Sequence, residues 1–215
     1  MLERALVDKW PWLAAGIALA LAYWTLSDSA PGELWLVALK AGSVLALAGY
    51  ARFASRHRDA RGVAAVMAIG AAGDAAIEFD TIAGGAFFLL SHLAAIVLYR
   101  RNARPRPGVS QRLAAMALLL GVPLAAWLLS RDPFAVIYAA VLGAMAGAAW
   151  LSRFSRYRVG IGALLFVASD LLIFARLGGT LPDAVTAWLI WPLYYSGQFL
   201  VVTGVIGAVR RDQAG

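Results

Sequence analysis

Long apolar runs separated by short charged segments are the feature that most constrains this chain of 215 residues. A helix needs about 20 mostly apolar residues to cross the hydrocarbon core of a bilayer. Eight runs approach that length, at Trp10–Leu26, Glu33–Tyr50, Gly62–Phe79, Ile82–Tyr99, Leu113–Leu129, Pro133–Leu151, Val159–Ala175 and Ala187–Val209. Hydrophobic residues make up 62% of the chain and charged residues 14%, whereas soluble domains are roughly half apolar and a quarter charged. The sequence therefore predicts an all-α polytopic membrane protein with eight transmembrane helices.

The lysines and arginines predict the orientation of the bundle, because cytoplasmic loops carry an excess of them. Sixteen of the 19 basic residues fall in alternate connections: Arg4, Lys9, Arg52, Arg56, Arg58, Arg61, Arg100, Arg101, Arg104, Arg106, Arg112, Arg153, Arg156, Arg158, Arg210 and Arg211. Both termini are therefore predicted to be cytoplasmic. Since these residues are spread between apolar runs, the net charge of +7 does not indicate a nucleic-acid interface. The Ala- and Arg-rich composition is typical of GC-rich bacteria, and we expect a bacterial inner membrane.

The two halves of the chain resemble each other. A basic Ser-Arg segment precedes both the third and the seventh run, and each of these runs contains an acid in a similar context, Ala-Gly-Asp74 and Ala-Ser-Asp170. Four spans per half would keep the same orientation, so a duplication predicts parallel repeats, 1–110 and 111–215, within a single domain of residues 1–215. The alternative is that Ala-rich helices converge on similar sequences.

Several polar residues lie at depths where a charge costs from about 2.5 to more than 10 kcal/mol, so each is a functional candidate. The two aspartates, Asp74 and Asp170, are the candidate catalytic residues. The candidate substrate-binding residues are Lys40, Glu78, Ser91, His92, Tyr194, Tyr195 and Gln198. Their positions along the runs fall between the outer interface and the midplane, which is what one cavity in the bundle would require.

These residues also have structural interpretations. Lys40 and Asp74 would form an ion pair between helices, and Glu78, one helical turn from Asp74, would simply be solvated near the interface. Ser91 and His92 would form hydrogen bonds between helices. The tyrosines and the glutamine of the last run would be packing residues, and Gly143 and Gly147 would form a small-residue face for helix contact.

Other catalytic templates lack the necessary residues. The chain has no cysteine and only two histidines, one of them in a predicted cytoplasmic loop, so we expect no metal centre. It also has no Gly-x-Ser-x-Gly elbow and no phosphate-binding Gly-x-x-x-x-Gly-Lys loop. We therefore expect chemistry based on carboxyl groups, without a cofactor.

At these same positions the sequence resembles the YhhN family of integral membrane proteins, whose characterised members are lysoplasmalogenases. The likeness covers nearly the whole chain. It rests on Lys40, Gly73-Asp74, Gly85 to Phe88, Ser91-His92, Tyr99, Ser169-Asp170 and Tyr195 to Val202. The family often has proline after the lysine, where this chain has Ala41. The resemblance implies cleavage of the vinyl ether of a lysophospholipid, the lysoplasmalogen, within the membrane.

Vinyl ether hydrolysis needs a proton donor and a nearby anion, and two carboxyl groups with different surroundings would supply both. The hypothesis pairs Asp74 with Asp170. It leaves the donor open, with a slight preference for Asp170 because Lys40 favours the ionised form of Asp74. His92, Tyr195 and Gln198 would orient water or the glycerol hydroxyl. A proton-coupled or small-solute transporter is the main alternative function, and a non-catalytic lipid-binding protein is the third.

Overall fold

The structure is a computed structural model that describes residues 9–27 and 33–214. Eight α-helices follow the eight predicted runs in order through this part of the chain. They are α1 (Trp10–Leu26), α2 (Leu34–Ala54), α3 (Arg58–Ala76), α4 (Thr81–Arg101), α5 (Val109–Ser130), α6 (Pro133–Leu151), α7 (Ile161–Leu177) and α8 (Asp183–Ala214). One π-helical turn, Arg156–Gly160, leads into α7. The predicted all-α class is confirmed.

The helix boundaries follow local sequence. Helix α6 begins at Pro133, whose fixed φ suits the first helical position, and the Asp132 side chain accepts a hydrogen bond from the Phe134 backbone amide at 2.9 Å. Helix α8 continues through Pro192 and spans 32 residues. Its ends therefore lie beyond the predicted run of 187–209.

Six helical segments are long and apolar enough to cross a membrane, which makes the chain a multi-pass membrane protein. They comprise α2, α4, α5, α6, α8 and α7 with its π-helical turn. Helix α1 is a shorter apolar helix, and α3 carries Arg58, Asp59, Arg61 and Asp74. The count of eight spans and the cytoplasmic termini stay predictions, and the N-terminal charge at Arg4 lies outside the described residues.

The described chain divides into two compact units. The first comprises the residues up to Ala94 together with those from Val202 onward, and the second comprises Ala95–Val201. In the first unit α2 packs against both α1 and α3. In the second, α5 packs along α6, and both contact α7. The division does not coincide with the predicted repeats, so the duplication of 1–110 and 111–215 stays a prediction.

Small residues permit the close packing of α5 on α6. A Cβ atom added at Gly143 would lie 2.5 Å from the Leu118 carbonyl oxygen, and one at Gly147 would lie 3.1 Å from the Ala115 carbonyl oxygen. The helix backbones therefore approach each other at these glycines, as expected for small residues spaced four apart in a membrane helix.

Candidate functional site

The first unit contains a cluster of charged residues that we call the lysine cluster: Tyr23, Lys40, Asp74 and Glu78. The Lys40 ammonium nitrogen lies 2.6 Å from the Glu78 Oε1 atom, in an ion pair whose side chains are 14% and 28% exposed. Asp74 is only 2% exposed, and its charge also acts on Lys40. The Tyr23 ring centroid is 5.6 Å from the same nitrogen. Lys40 thus pairs with Glu78 beside an aromatic face, and the charge of the more buried Asp74 also acts on it.

The end of α3 determines how the two acids of this cluster are placed. The helix ends at Ala76, with Ile77 as its C-cap, so Glu78 belongs to the following turn. The predicted run Gly62–Phe79 therefore extends past the end of the helix, although both acids act on Lys40. The helix keeps Asp74 inside the unit, while the turn leaves Glu78 closer to the surface.

Helix α4 packs tightly against α3 beside Asp74. A Cβ atom at Gly73 would lie 3.3 Å from the Phe88 ring, and the Ser91 hydroxyl donates a hydrogen bond of 3.0 Å to the Val66 carbonyl. Ser91 therefore joins α4 to α3, which agrees with its structural interpretation. The neighbouring His92 is equally buried.

The second unit contains the other aspartate, in what we call the tyrosine cluster: Tyr138, Asp170, Tyr194 and Tyr195. The Tyr138 hydroxyl on α6 donates a hydrogen bond of 2.8 Å to the Asp170 Oδ2 atom on α7. Asp170 is 6% exposed. The Tyr138 ring is held edge-on against Phe174, with centroids 5.9 Å apart. This buried carboxyl thus has a hydroxyl partner, whereas Asp74 lies near an ammonium group.

Next to Asp170, Ser169 links α7 to α8. Its hydroxyl donates a hydrogen bond of 3.0 Å to the Ile190 carbonyl, two residues before Pro192. This hydrogen bond joins α7 to α8 at the residue directly before Asp170.

Aromatic side chains of α8 extend the tyrosine cluster. The Trp191 ring centroid lies 5.5 Å from that of Tyr194 and 6.1 Å from that of Tyr195, and Phe166 packs edge-on against Tyr194 at 5.1 Å. The Tyr195 hydroxyl is buried and has no hydrogen-bond partner within the described chain. A buried polar group without a partner costs about 1–3 kcal/mol, so it needs a functional or structural reason.

Sequence reasoning missed two members of these clusters, Tyr23 and Tyr138. Tyr138 is the only hydroxyl-bearing residue in the run Pro133–Leu151, and that isolation was the available indication. Gln198, which sequence reasoning did select, is buried on α8. Each cluster lies within one compact unit, and the convergence of Asp74 and Asp170 on one cavity stays a prediction. No group of three or more His, Asp or Glu residues in the described ranges is arranged to hold a metal ion.

A comparison with models of protein families supports the resemblance that individual residues indicated. The model of the YhhN family matches residues 13–205. The chain belongs to the YhhN family. The matched segment includes every member of the lysine and tyrosine clusters. Searches of curated proteins and of solved structures found no significant match.

Proposed function

We propose that this YhhN protein is a membrane-embedded hydrolase that cleaves the vinyl ether bond of lysoplasmalogens. The products would be a fatty aldehyde and glycerophosphoethanolamine or glycerophosphocholine. The observation that carries the proposal is the burial of two aspartates, 2% and 6% exposed, in the helices of a membrane protein of this family. Buried carboxyl groups in different surroundings are what acid catalysis through an oxocarbenium ion requires.

In the proposed reaction, a carboxylic acid transfers its proton to the vinyl carbon β to the ether oxygen. The resulting oxocarbenium ion is captured by water, which loses a proton to give a hemiacetal. The hemiacetal then breaks its bond to the glycerol oxygen, releasing the aldehyde and the glycerol hydroxyl. The overall reaction consumes one water molecule, and the acid regains its proton. No cofactor is needed.

We assign proton donation to Asp170. One of its partners is the Tyr138 hydroxyl, which carries no formal charge and can pair with a carboxyl group in either protonation state. Asp74 differs from Asp170 in that the positive charge of Lys40 acts on it. It is therefore assigned the anionic role, in which it stabilises the oxocarbenium ion or accepts the proton of the attacking water.

The remaining candidates are assigned to substrate or water. The unpartnered Tyr195 hydroxyl would form a hydrogen bond to the glycerol or phosphate oxygens, and Gln198 and Tyr194 would line the same region of α8. His92 would orient water. Lys40 is engaged with Glu78 at 2.6 Å, so phosphate binding by Lys40 would require exchange of that partner.

Aldehyde release from lysoplasmalogen by the purified protein in detergent tests the proposal. Asp74→Asn and Asp170→Asn should each lower turnover at least 100-fold, as expected when an acid–base group is removed. Asp183→Asn is the matched control: it is the same substitution at an aspartate that belongs to neither cluster and whose side chain is 79% exposed, and it should retain turnover within about threefold.

Near-normal turnover in either folded aspartate variant would refute the two-carboxylate mechanism. The transporter alternative makes a different prediction. Wild-type protein that moves solute or protons across sealed vesicles but releases no aldehyde in detergent would overturn the hydrolase.

A further inference from the structure

The second unit contains a cavity of about 500 Å³ that belongs to neither cluster. It lies between the end of α4, the beginning of α5 and the end of α6. We call it the arginine cavity because Arg100 and Arg112 line it. Most of its wall is apolar, formed by Ala115, Met116, Leu119, Ala144, Ala148 and Leu151. No acidic residue is among the described residues that line it.

The charged and apolar parts of this cavity are arranged along the helices. Arg100 lies one residue before the end of α4, and Arg112 lies in the first turn of α5. Leu119 lies seven residues beyond Arg112 on α5, which corresponds to about 10 Å along the helix. The cavity therefore presents two guanidinium groups near the helix ends and an apolar wall deeper within the helical segment. Its size falls in the range of about 300–1,000 Å³ of small-molecule sites.

The surroundings of the cavity are held by specific contacts. The Arg104 side chain donates a hydrogen bond of 2.9 Å to the Ser152 carbonyl, and that of Arg153 donates one of 2.7 Å to the Asn102 side chain. These two arginines therefore stabilise the connection after α4. Gly147, where α6 approaches α5, also lines the cavity.

We propose that the arginine cavity binds one anionic phospholipid, with the phosphate between Arg100 and Arg112 and part of an acyl chain on the apolar wall. Planar guanidinium groups form paired hydrogen bonds with phosphate oxygens. The two arginines lie on the side predicted to be cytoplasmic, where basic pockets between membrane helices bind anionic headgroups. The match of both charge and polarity favours a lipid with a net negative headgroup over a zwitterionic one.

This site is separate from the proposed catalytic residues of the second unit. Tyr138 lies six residues before Ala144 on α6, about 9 Å along the helix, and neither Tyr138 nor Asp170 lines the cavity. Bound lipid would act as a structural or regulatory ligand of this unit. The inference thus goes beyond the proposed hydrolase and does not depend on it, because its test measures binding.

Delipidated protein in detergent is titrated with phosphatidylglycerol or with phosphatidylcholine of identical acyl chains, and the melting temperature is followed. Phosphatidylglycerol should raise it at concentrations where phosphatidylcholine does not. Each arginine near an anionic headgroup contributes about fivefold in affinity, so R100Q/R112Q should weaken phosphatidylglycerol binding about 30-fold. Arg101→Gln and Arg106→Gln are matched controls, since both remove a charge nearby without touching the cavity, and they should change the affinity less than threefold.

A second variant tests the apolar part. Ala148→Phe keeps both arginines but fills part of the cavity beside its apolar wall. It should therefore abolish the rise in melting temperature that phosphatidylglycerol causes, while circular dichroism shows unchanged helicity. Three results would overturn the proposal: equal shifts with both lipids, equal losses in the control and double variants, or a full shift with glycerol phosphate, which has no acyl chain. Retained binding in Ala148→Phe would also overturn it.

Discussion

The hydrogen bond between Tyr138 and Asp170 gives the sharpest test of the tyrosine cluster. Tyr138→Phe removes only the hydroxyl and leaves the ring against Phe174. The O···O distance of 2.8 Å is ordinary for a hydroxyl donor. Hydrogen bonds between membrane helices contribute about 0.6 kcal/mol on average and up to about 1.7 kcal/mol. We therefore expect a coupling free energy of about 1 kcal/mol, or about fivefold in the unfolding equilibrium.

A double-mutant cycle with Tyr138→Phe, Asp170→Leu and the double variant isolates this coupling, because leucine, unlike asparagine, cannot accept the hydrogen bond. The free energy of unfolding is measured by reversible denaturation in mixed micelles, with helicity as the signal. Tyr157→Phe is the matched control, because the Tyr157 residue is 79% exposed. Removing this exposed hydroxyl should leave the free energy of unfolding nearly unchanged.

Turnover supplies the second measurement in the same variants. Tyr138→Phe should lower kcat about 10-fold or less, because Asp170 remains as the acid but loses a positioning partner. A coupling near zero would show that the hydrogen bond does not stabilise the folded protein. A coupling above about 2 kcal/mol would fit a hydrogen bond to an ionised carboxylate and would refute the assignment of Asp170 as the neutral proton donor.

Three further predictions concern packing, an unpartnered hydroxyl and the lysine cluster. Gly143→Ala places a methyl group 2.5 Å from the Leu118 carbonyl oxygen and should lower the free energy of unfolding by about 1–3 kcal/mol. Gly121→Ala is the control, because its methyl group meets no atom within 4 Å, and it should be neutral or stabilising. Thermal denaturation of both variants measures the difference. Tyr195→Phe should leave thermal stability equal or higher but raise KM, since its hydroxyl has no described protein partner; a clear loss of stability would contradict this. Lys40→Met should destabilise by at least about 1 kcal/mol more than Glu78→Gln, because it leaves Asp74 buried without its cation; equal effects in chemical denaturation would show that Asp74 does not depend on Lys40.

The positions of the helices were predictable because every helix coincides with an apolar run closed by turn residues or charges. Such runs must be helical in a bilayer, where each backbone polar group needs a partner within its own segment. The residues at which the helices begin and end were less predictable. The last predicted run of 187–209 missed polar residues at both ends of α8 (Asp183–Ala214), because a helix continues past the apolar core for as long as its backbone hydrogen bonds form.

The candidate residues were predictable by type, but their partners were not. A carboxylate or an ammonium group inside an apolar run is conspicuous in a sequence because its burial is costly. A tyrosine such as Tyr138 is not conspicuous in a sequence, since tyrosines are common at membrane interfaces. Its importance depends on the packing of α6 against α7. Likewise, the pairing of Lys40 with Glu78 depends on where α3 ends, which the continuous hydropathy of the third run conceals.

The identity of those partners distinguishes two aspartates that look equivalent in the sequence. Asp74 and Asp170 lie 96 residues apart, and Lys40, whose charge acts on Asp74, lies 98 residues before Tyr138, which donates to Asp170. In each group of four helices, the second helix therefore supplies the neighbour of the acid on the third. An ammonium group stabilises an anion, whereas a hydroxyl also suits a neutral carboxyl group. Duplication followed by divergence at the second helix would thus convert two copies of one acid into a base and a proton donor.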